Sequence, residues 1–103
     1  MSNRVAIVGA TGLVGQAILR ILEQRSFPVE ELIPLASERS VGKSIRFNDQ
    51  DYKVMVLDDF DFESIDFSFF SAGSSVSRIF APKAANAGSV VIDNTSEFRY
   101  DDQ

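Results

Sequence analysis

The stretch Arg4-Val5-Ala6-Ile7-Val8-Gly9-Ala10-Thr11-Gly12-Leu13-Val14-Gly15 decides the fold of this chain. Its first five residues form a short, largely β-branched run, which predicts a buried strand. The glycines at positions 9, 12 and 15 predict a tight turn directly after it. Beyond the turn, apolar residues recur at the spacing of one helical face, at Val14, Ala17, Ile18, Ile21 and Leu22. Strand, glycine turn and amphipathic helix are therefore expected in direct succession.

This order of elements favours a phosphate-binding turn. Gly9 can adopt backbone angles that other residues avoid, Gly12 lets a pyrophosphate approach the backbone, and Gly15 lets the helix pack close to the sheet. The first N–H groups of the helix have no partner within it, and the helix dipole favours negative charge there. The alternative is a tight strand-to-helix turn that binds nothing. The strand before and the helix after it favour dinucleotide binding.

The rest of the chain alternates strands with helices. Further strands are predicted at 31–36, 44–47, 52–57, 67–71 and 90–93, the second and third of these as a possible hairpin. A helix is predicted over 74–87, which Pro82 is expected to kink or divide and Gly88 to end. Alternation of this kind predicts one α/β domain over residues 1–103, with a Rossmann-like, mostly parallel sheet and helices on both faces. The phenylalanines between positions 60 and 70 are expected to pack in its core.

Composition excludes several classes of function. The net charge is −5, which argues against a general nucleic-acid binder. There is no Cys and no His, so thiol chemistry, disulfides and most zinc sites are excluded for these 103 residues. No apolar run approaches the ~20 residues of a membrane span, and no signal peptide is seen, so a cytoplasmic location is expected.

The segment after the second strand bears on the choice of cofactor. It reads Leu35-Ala36-Ser37-Glu38-Arg39-Ser40. An NAD site usually places a carboxylate here to bind the ribose hydroxyls, and Glu38 leaves that choice open. The guanidinium of Arg39 and the hydroxyls of Ser37 and Ser40 suit a 2′-phosphate, which favours NADP. The alternative for Arg39 is a solvated surface charge.

Four segments, in order and with matching spacing, resemble aspartate-semialdehyde dehydrogenase. They are Gly9-Ala10-Thr11-Gly12-Leu13-Val14-Gly15, Leu35-Ala36-Ser37-Glu38-Arg39-Ser40-Val41-Gly42-Lys43, Phe70-Ser71-Ala72-Gly73-Ser74-Ser75-Val76-Ser77 and Val91-Ile92-Asp93-Asn94-Thr95-Ser96-Glu97-Phe98-Arg99. The similarity runs over nearly the whole chain.

The resemblance implies an enzyme that interconverts aspartyl phosphate and aspartate semialdehyde with NADP(H), on the route to lysine, methionine and threonine. Cofactor-binding positions would be Gly9, Thr11, Gly12, Leu13 and Val14 at the pyrophosphate, Ser37, Arg39 and Ser40 at the 2′-phosphate, and Ser71, Ala72 and Gly73 beside the cofactor. Asn94 and Arg99 would bind the substrate phosphate. From position alone, Arg99 could equally pair with Asp101 or Asp102.

The resemblance also implies that this chain is an inactive fragment. The catalytic cysteine and histidine of the family would follow Gln103, as would the domain for catalysis and dimerisation. The parent would be a homodimer or homotetramer, and the fragment is expected to be only marginally stable or to self-associate. Two alternatives stay open: a self-contained, non-catalytic nucleotide-binding module, and a fragment of an N-acetyl-glutamyl-phosphate reductase. An extended short-chain dehydrogenase would need a Tyr-x-x-x-Lys pair, which this sequence lacks.

Overall fold

The computed structural model describes residues 3–93 of the protein, and of Ser74 only the backbone. In chain order the elements are β1 (Asn3–Val8), α1 (Leu13–Gln24), β2 (Val29–Ala36), a 3-10 turn (Glu38–Ser40), β3 (Ser44–Phe47), β4 (Gln50–Lys53), β5 (Met55–Val56), β6 (Phe67–Phe70), α2 (Ser74–Asn86) and β7 (Val90–Asp93). Five strands form one sheet in the order β5-β2-β1-β6-β7, and every neighbouring pair is parallel. The predicted Rossmann-like α/β fold is confirmed.

The central strand β1 supplies both halves of the core. Val5 and Ile7 belong to one cluster of buried side chains, together with Leu19 of α1. Ala6 and Val8 belong to a second cluster, together with Ala84 of α2. Because successive side chains of a strand point to opposite faces, the two helices cover opposite faces of the sheet, as the sequence predicted.

The buried face of α1 differs from the predicted one. Ile18 and Leu22 are buried as expected, whereas the other members of the predicted stripe (Val14, Ala17 and Ile21) are exposed. Gly15 and Leu19 complete the buried face instead. Residues 15, 18, 19 and 22 have the same helical spacing as the predicted set, so periodicity alone could not separate the two. The close approach of Gly15 to the preceding turn decides the rotation of the helix.

The predicted strand over 52–57 is in fact two strands in different sheets. β4 pairs with β3 as an antiparallel hairpin, while β5 pairs in parallel with β2 at the edge of the main sheet. Between them lies Val54, which is buried and whose N–H donates to the carbonyl of Lys43 at 2.9 Å. This bond closes the hairpin and lets the chain turn into the main sheet. The uninterrupted apolar run Val54-Met55-Val56-Leu57 concealed that change of partner.

Helix α2 runs through Pro82 as one continuous helix, so Pro82 does not start a second segment. Pro82 is exposed, and on this side of the helix water can replace the backbone hydrogen bond that proline cannot make. The helix ends as predicted, because Gly88 follows it with a φ of 98°.

The clustered phenylalanines pack in the core, as expected. Phe62 and Phe70 are buried, and Phe60, Phe67 and Phe69 are partly buried against the two clusters. The rings of Phe60 and Phe62 meet edge to face with their centroids 5.0 Å apart. These side chains hold the segment between β5 and β6 against the sheet.

Candidate nucleotide-binding site

The glycine turn is tied to the end of the neighbouring strand. Gly9 has a φ of 87°, and its N–H donates to the carbonyl of Leu35 in β2 at 2.8 Å. The N–H of Gly12 then donates back to the carbonyl of Gly9 at 3.1 Å. A residue with a side chain would be strained at such a φ, so the reversal that the sequence predicted for Gly9 does require glycine.

The turn presents the beginning of α1 to solvent. Gly12 caps the helix without a side-chain hydrogen bond, and the first turn contains no acidic residue. The hydrogen bonds of the helix begin at Gln16, whose backbone N–H donates to the carbonyl oxygen of Gly12 at 3.0 Å. Leu13, the first helical residue, is 93% exposed. These N–H groups and the positive end of the helix dipole are thus available to an anion.

The three glycines differ in what surrounds them. A Cβ on Gly15 would lie 2.3 Å from the carbonyl oxygen of Gly9, so Gly15 is needed for packing. A Cβ on Gly12 would meet only that same oxygen, at an ordinary 3.5 Å, and would otherwise point into open space. Gly12 therefore leaves room for a ligand, as predicted, while Gly15 lets the helix approach the turn.

The loop after β6 forms the next wall of the site. The hydroxyl of Ser71 donates to the carbonyl of Val8 at 2.9 Å. Ala72 lies against the glycine turn, since a Cβ on Gly9 would come within 3.0 Å of it. Gly73 has a φ of 109° and caps α2. The third and first segments of the family resemblance thus meet at one edge of the sheet through Ser71 and Ala72.

The loop after β2 forms the opposite side. Ser37 caps the 3-10 turn, and the N–H of Ser40 donates to the Ser37 carbonyl at 3.0 Å. Glu38 and Arg39 project from this turn and are exposed. Within residues 3–93 neither side chain has a hydrogen-bond or ion-pair partner. The Arg39 guanidinium is therefore free to meet a ligand beside the two serines.

These loops enclose a cavity of about 450 Å³ at the carboxyl edge of the sheet. It is lined by seven of the predicted cofactor-binding residues, namely Gly9, Thr11, Gly12, Ser37, Ser40, Ser71 and Ala72. Four predicted residues do not line it: Leu13, Val14, Arg39 and Gly73. Leu13 and Val14 begin α1 at its exposed end, and Arg39 is exposed next to Ser40. Asn94 and Arg99 lie outside the described residues.

Six residues that line the cavity were missed from the sequence: Val8, Ala36, Leu57, Asp58, Val76 and Phe80. For four of the six, their position relative to the predicted strands could have indicated the site. Val8 and Ala36 end parallel strands, and Leu57 and Asp58 directly follow one, where ligands of open α/β sheets bind. Val76 and Phe80 required the position of α2, which the sequence pattern does not provide.

The sheet order, the glycine turn and the open cavity together define a nucleotide-binding domain of the Rossmann type. Neither helix within residues 3–93 is long and apolar enough to cross a membrane. The family described as semialdehyde dehydrogenase, NAD binding domain, matches residues 4–103. The chain belongs to this family of NAD(P)-binding domains.

Individual relatives support the same family assignment. The chain is 58% identical to aspartate-semialdehyde dehydrogenase of Legionella pneumophila over 98 residues, which are 95% of this chain and 28% of that enzyme. It is 53% identical to the Aquifex aeolicus enzyme, covering 98% of this chain and 30% of that one. The chain thus spans less than a third of the length of these relatives and matches their N-terminal part.

Among solved structures, aspartate semialdehyde dehydrogenase II of Vibrio cholerae, in complex with ASA, superposes with a TM-score of 0.90 at 52% identity, over 98% of this chain and 30% of that one. The Candida albicans enzyme, solved with NADP, superposes with a TM-score of 0.71 at 22% identity, over 96% of this chain and 31% of that one. The second likeness concerns the fold alone.

Proposed function

We propose that this chain is the NADP-binding domain of an aspartate-semialdehyde dehydrogenase, the activity that its relatives' names give. One observation carries the proposal: the cavity joins the open start of α1 to the two serines after β2. The glycine turn follows β1 and the serines follow β2, and neighbouring strands lie ~4.8 Å apart. One dinucleotide can span this distance with its pyrophosphate at the turn and its adenosine ribose at the serines.

The loop after β2 favours a 2′-phosphate over a free ribose diol. Ser37 and Ser40 line the cavity, whereas Glu38, the carboxylate that could bind a diol, does not. Arg39 is exposed next to these serines and has no partner within residues 3–93. A phosphate here would accept hydrogen bonds from two hydroxyls and one guanidinium, and such charged bonds are the stronger ones. This arrangement supports NADP as the cofactor.

The role of the chain in the reaction is to bind and orient the cofactor. The bound cofactor, as NADPH, would supply a hydride to the acyl group of the substrate. The N–H groups at the start of α1 and the loop of Ser71 and Ala72 would hold the dinucleotide in place. With no Cys and no His, residues 1–103 contain no group suited to covalent attack through sulfur or to imidazole base catalysis.

Binding of the substrate phosphate by Asn94 and Arg99 stays a prediction. In a full-length enzyme that carries this sequence, Arg99→Ala is expected to weaken the use of acyl phosphate or phosphate and to leave NADP affinity unchanged. Initial rates at varied phosphate, with NADP affinity measured separately, check this. A loss of NADP affinity in the variant would mean that Arg99 has a structural role instead.

Titration calorimetry of the 103-residue chain tests the proposal directly. NADP and the nucleotide 2′,5′-ADP are both expected to bind, because each contains the 2′-phosphate, and NAD is expected to bind more weakly. The difference between NADP and NAD should be about 1–3 kcal/mol, the value of a charged hydrogen bond. Equal affinities for NADP and NAD would reject the 2′-phosphate site, and no binding of any of the three would reject the cavity as the cofactor site.

A further inference from the structure

Asp58 is a carboxylate in the wall of the cavity that no step above uses. It lines the cavity, it is exposed, and within residues 3–93 it has no hydrogen-bond or ion-pair partner. A polyanionic ligand would be repelled by an adjacent carboxylate unless that carboxylate accepts a hydrogen bond from it. The ligand must therefore present a donor to Asp58, and the position of Asp58 indicates which one.

Asp58 lies at the adenosine end of the cavity. The N–H of Leu57 donates to the carbonyl of Ala36 at 3.0 Å, so the chain continues beside β2 for one residue past β5. Along the carboxyl edge the order is then Asp58 after β5, Ser37 after β2 and Gly9 after β1. Two strand spacings, roughly 10 Å, separate Asp58 from the glycine turn. A nucleotide with its pyrophosphate at Gly9 and its ribose at Ser37 would place its base near Asp58.

The cavity that Asp58 lines also has apolar wall residues, which suit a flat base. Leu57, Val76 and Phe80 all line it; Leu57 belongs to the second core cluster, and Val76 and Phe80 pack against that cluster. Adenosine 2′-phosphate has two neutral donors, the ribose 3′-hydroxyl and the 6-amino group of adenine. The 3′-hydroxyl adjoins the phosphate, where a carboxylate would face a second negative charge, whereas the amino group is the donor farthest from the phosphates.

We propose that Asp58 selects adenine by accepting a hydrogen bond from its 6-amino group. This proposal rests on the proposed NADP function and specifies the base-recognition part of that same site. Replacement of adenine by hypoxanthine exchanges the amino donor for a carbonyl acceptor, which would face the carboxylate of Asp58 unfavourably. The chain should therefore discriminate between the two bases.

Calorimetry with NADP and with nicotinamide hypoxanthine dinucleotide phosphate tests the proposal. The wild-type chain is expected to bind NADP about tenfold or more tightly than the hypoxanthine analogue, as for a hydrogen bond to a charged group. In Asp58→Asn this preference should largely disappear, because the amide can accept from adenine and donate to hypoxanthine. Asp59→Asn is the matched control: it removes the same charge at an exposed neighbour that does not line the cavity, and should keep the preference.

The outcomes separate this proposal from the function on which it rests. If the wild type binds NADP and Asp58→Asn keeps the full preference for adenine, the role of Asp58 is overturned while the NADP site stands. If Asp58→Asn loses affinity equally for both nucleotides, Asp58 bonds to the ribose 3′-hydroxyl that they share, and the proposed role in adenine recognition is likewise overturned. If the wild type binds neither nucleotide, the NADP function fails, and the role of Asp58 fails with it. Unchanged circular dichroism would verify the fold of both variants.

Discussion

Gly15 lies so close to the Gly9 carbonyl that an added Cβ would stand 2.3 Å from its oxygen and 3.0 Å from the Cα of Ala10. Both obstacles are backbone atoms, which cannot rotate away as a side chain can. The contact fixes the distance between α1 and the glycine turn, and it sets the rotation that exposes Val14 and buries Leu19. Gly12, the residue that caps α1, lies in the wall of the cavity.

Gly15→Ala is expected to lower the free energy of unfolding by about 1–3 kcal/mol, the usual cost of overpacking a tight contact. Helix α1 or the turn must shift to accept the methyl group, so NADP affinity should fall as well. Urea denaturation measures the first effect and calorimetry the second. Gln16→Ala, at the exposed neighbouring position, should change stability by no more than ~0.5 kcal/mol. If Gly15→Ala were as stable as the wild type, the turn could shift to accept the methyl group without a measurable cost.

Gly12→Ala is expected to separate binding from stability. A Cβ there makes only an ordinary 3.5 Å contact, and the φ of −82° suits alanine, so the unfolding free energy should change little. The methyl group would occupy the space proposed for the pyrophosphate and should weaken NADP binding by roughly tenfold or more, about 1.4 kcal/mol. Calorimetry and denaturation on the same sample give both values. Full NADP affinity in this variant would place the pyrophosphate elsewhere.

Arg39→Ala is expected to weaken NADP binding by about 1–3 kcal/mol and NAD binding much less, because only NADP presents the 2′-phosphate. Titration with both cofactors gives the comparison. Arg25→Ala is a suitable control, since Arg25 is also exposed, does not line the cavity, and lies at the opposite end of α1. Equal losses for NADP and NAD would refute the assigned role of Arg39.

The buried hydroxyls of Ser68 and Ser89, 2.7 Å apart, link β6 to the segment that follows α2. Ser68→Ala should lower the free energy of unfolding by about 1–3 kcal/mol, because it leaves the Ser89 hydroxyl buried without its partner. The double variant with Ser89→Ala should cost less than the sum of the single variants. Urea denaturation of the wild type, the two single variants and the double variant gives the four free energies of a double-mutant cycle. Strict additivity would show that the two hydroxyls do not interact energetically.

Local chemistry in the sequence was sufficient for the Rossmann-like fold and for much of the site. The order of strand, glycine turn and helix predicted the fold, and the glycine spacing predicted the different roles of Gly9, Gly12 and Gly15. Ser37 and Ser40 were found because they directly follow the second predicted strand, at the edge where such sheets bind ligands, whereas Ser71 and Ala72 were implied by the family resemblance. Each of these features depends on residues close together in the chain, so the sequence alone determined them.

Only the tertiary structure decided which faces and segments meet. The helical periodicity of α1 fits two faces one residue apart, and the contact of Gly15 with the turn selects one. The strand predicted over 52–57 divides because Val54 bonds to Lys43 while Leu57 bonds to Ala36. Asp58, Val76 and Phe80 share a cavity because β5 and α2 converge on it from distant parts of the chain. Such choices depend on packing between segments far apart in sequence, and no local pattern of residues encodes the geometry of that packing.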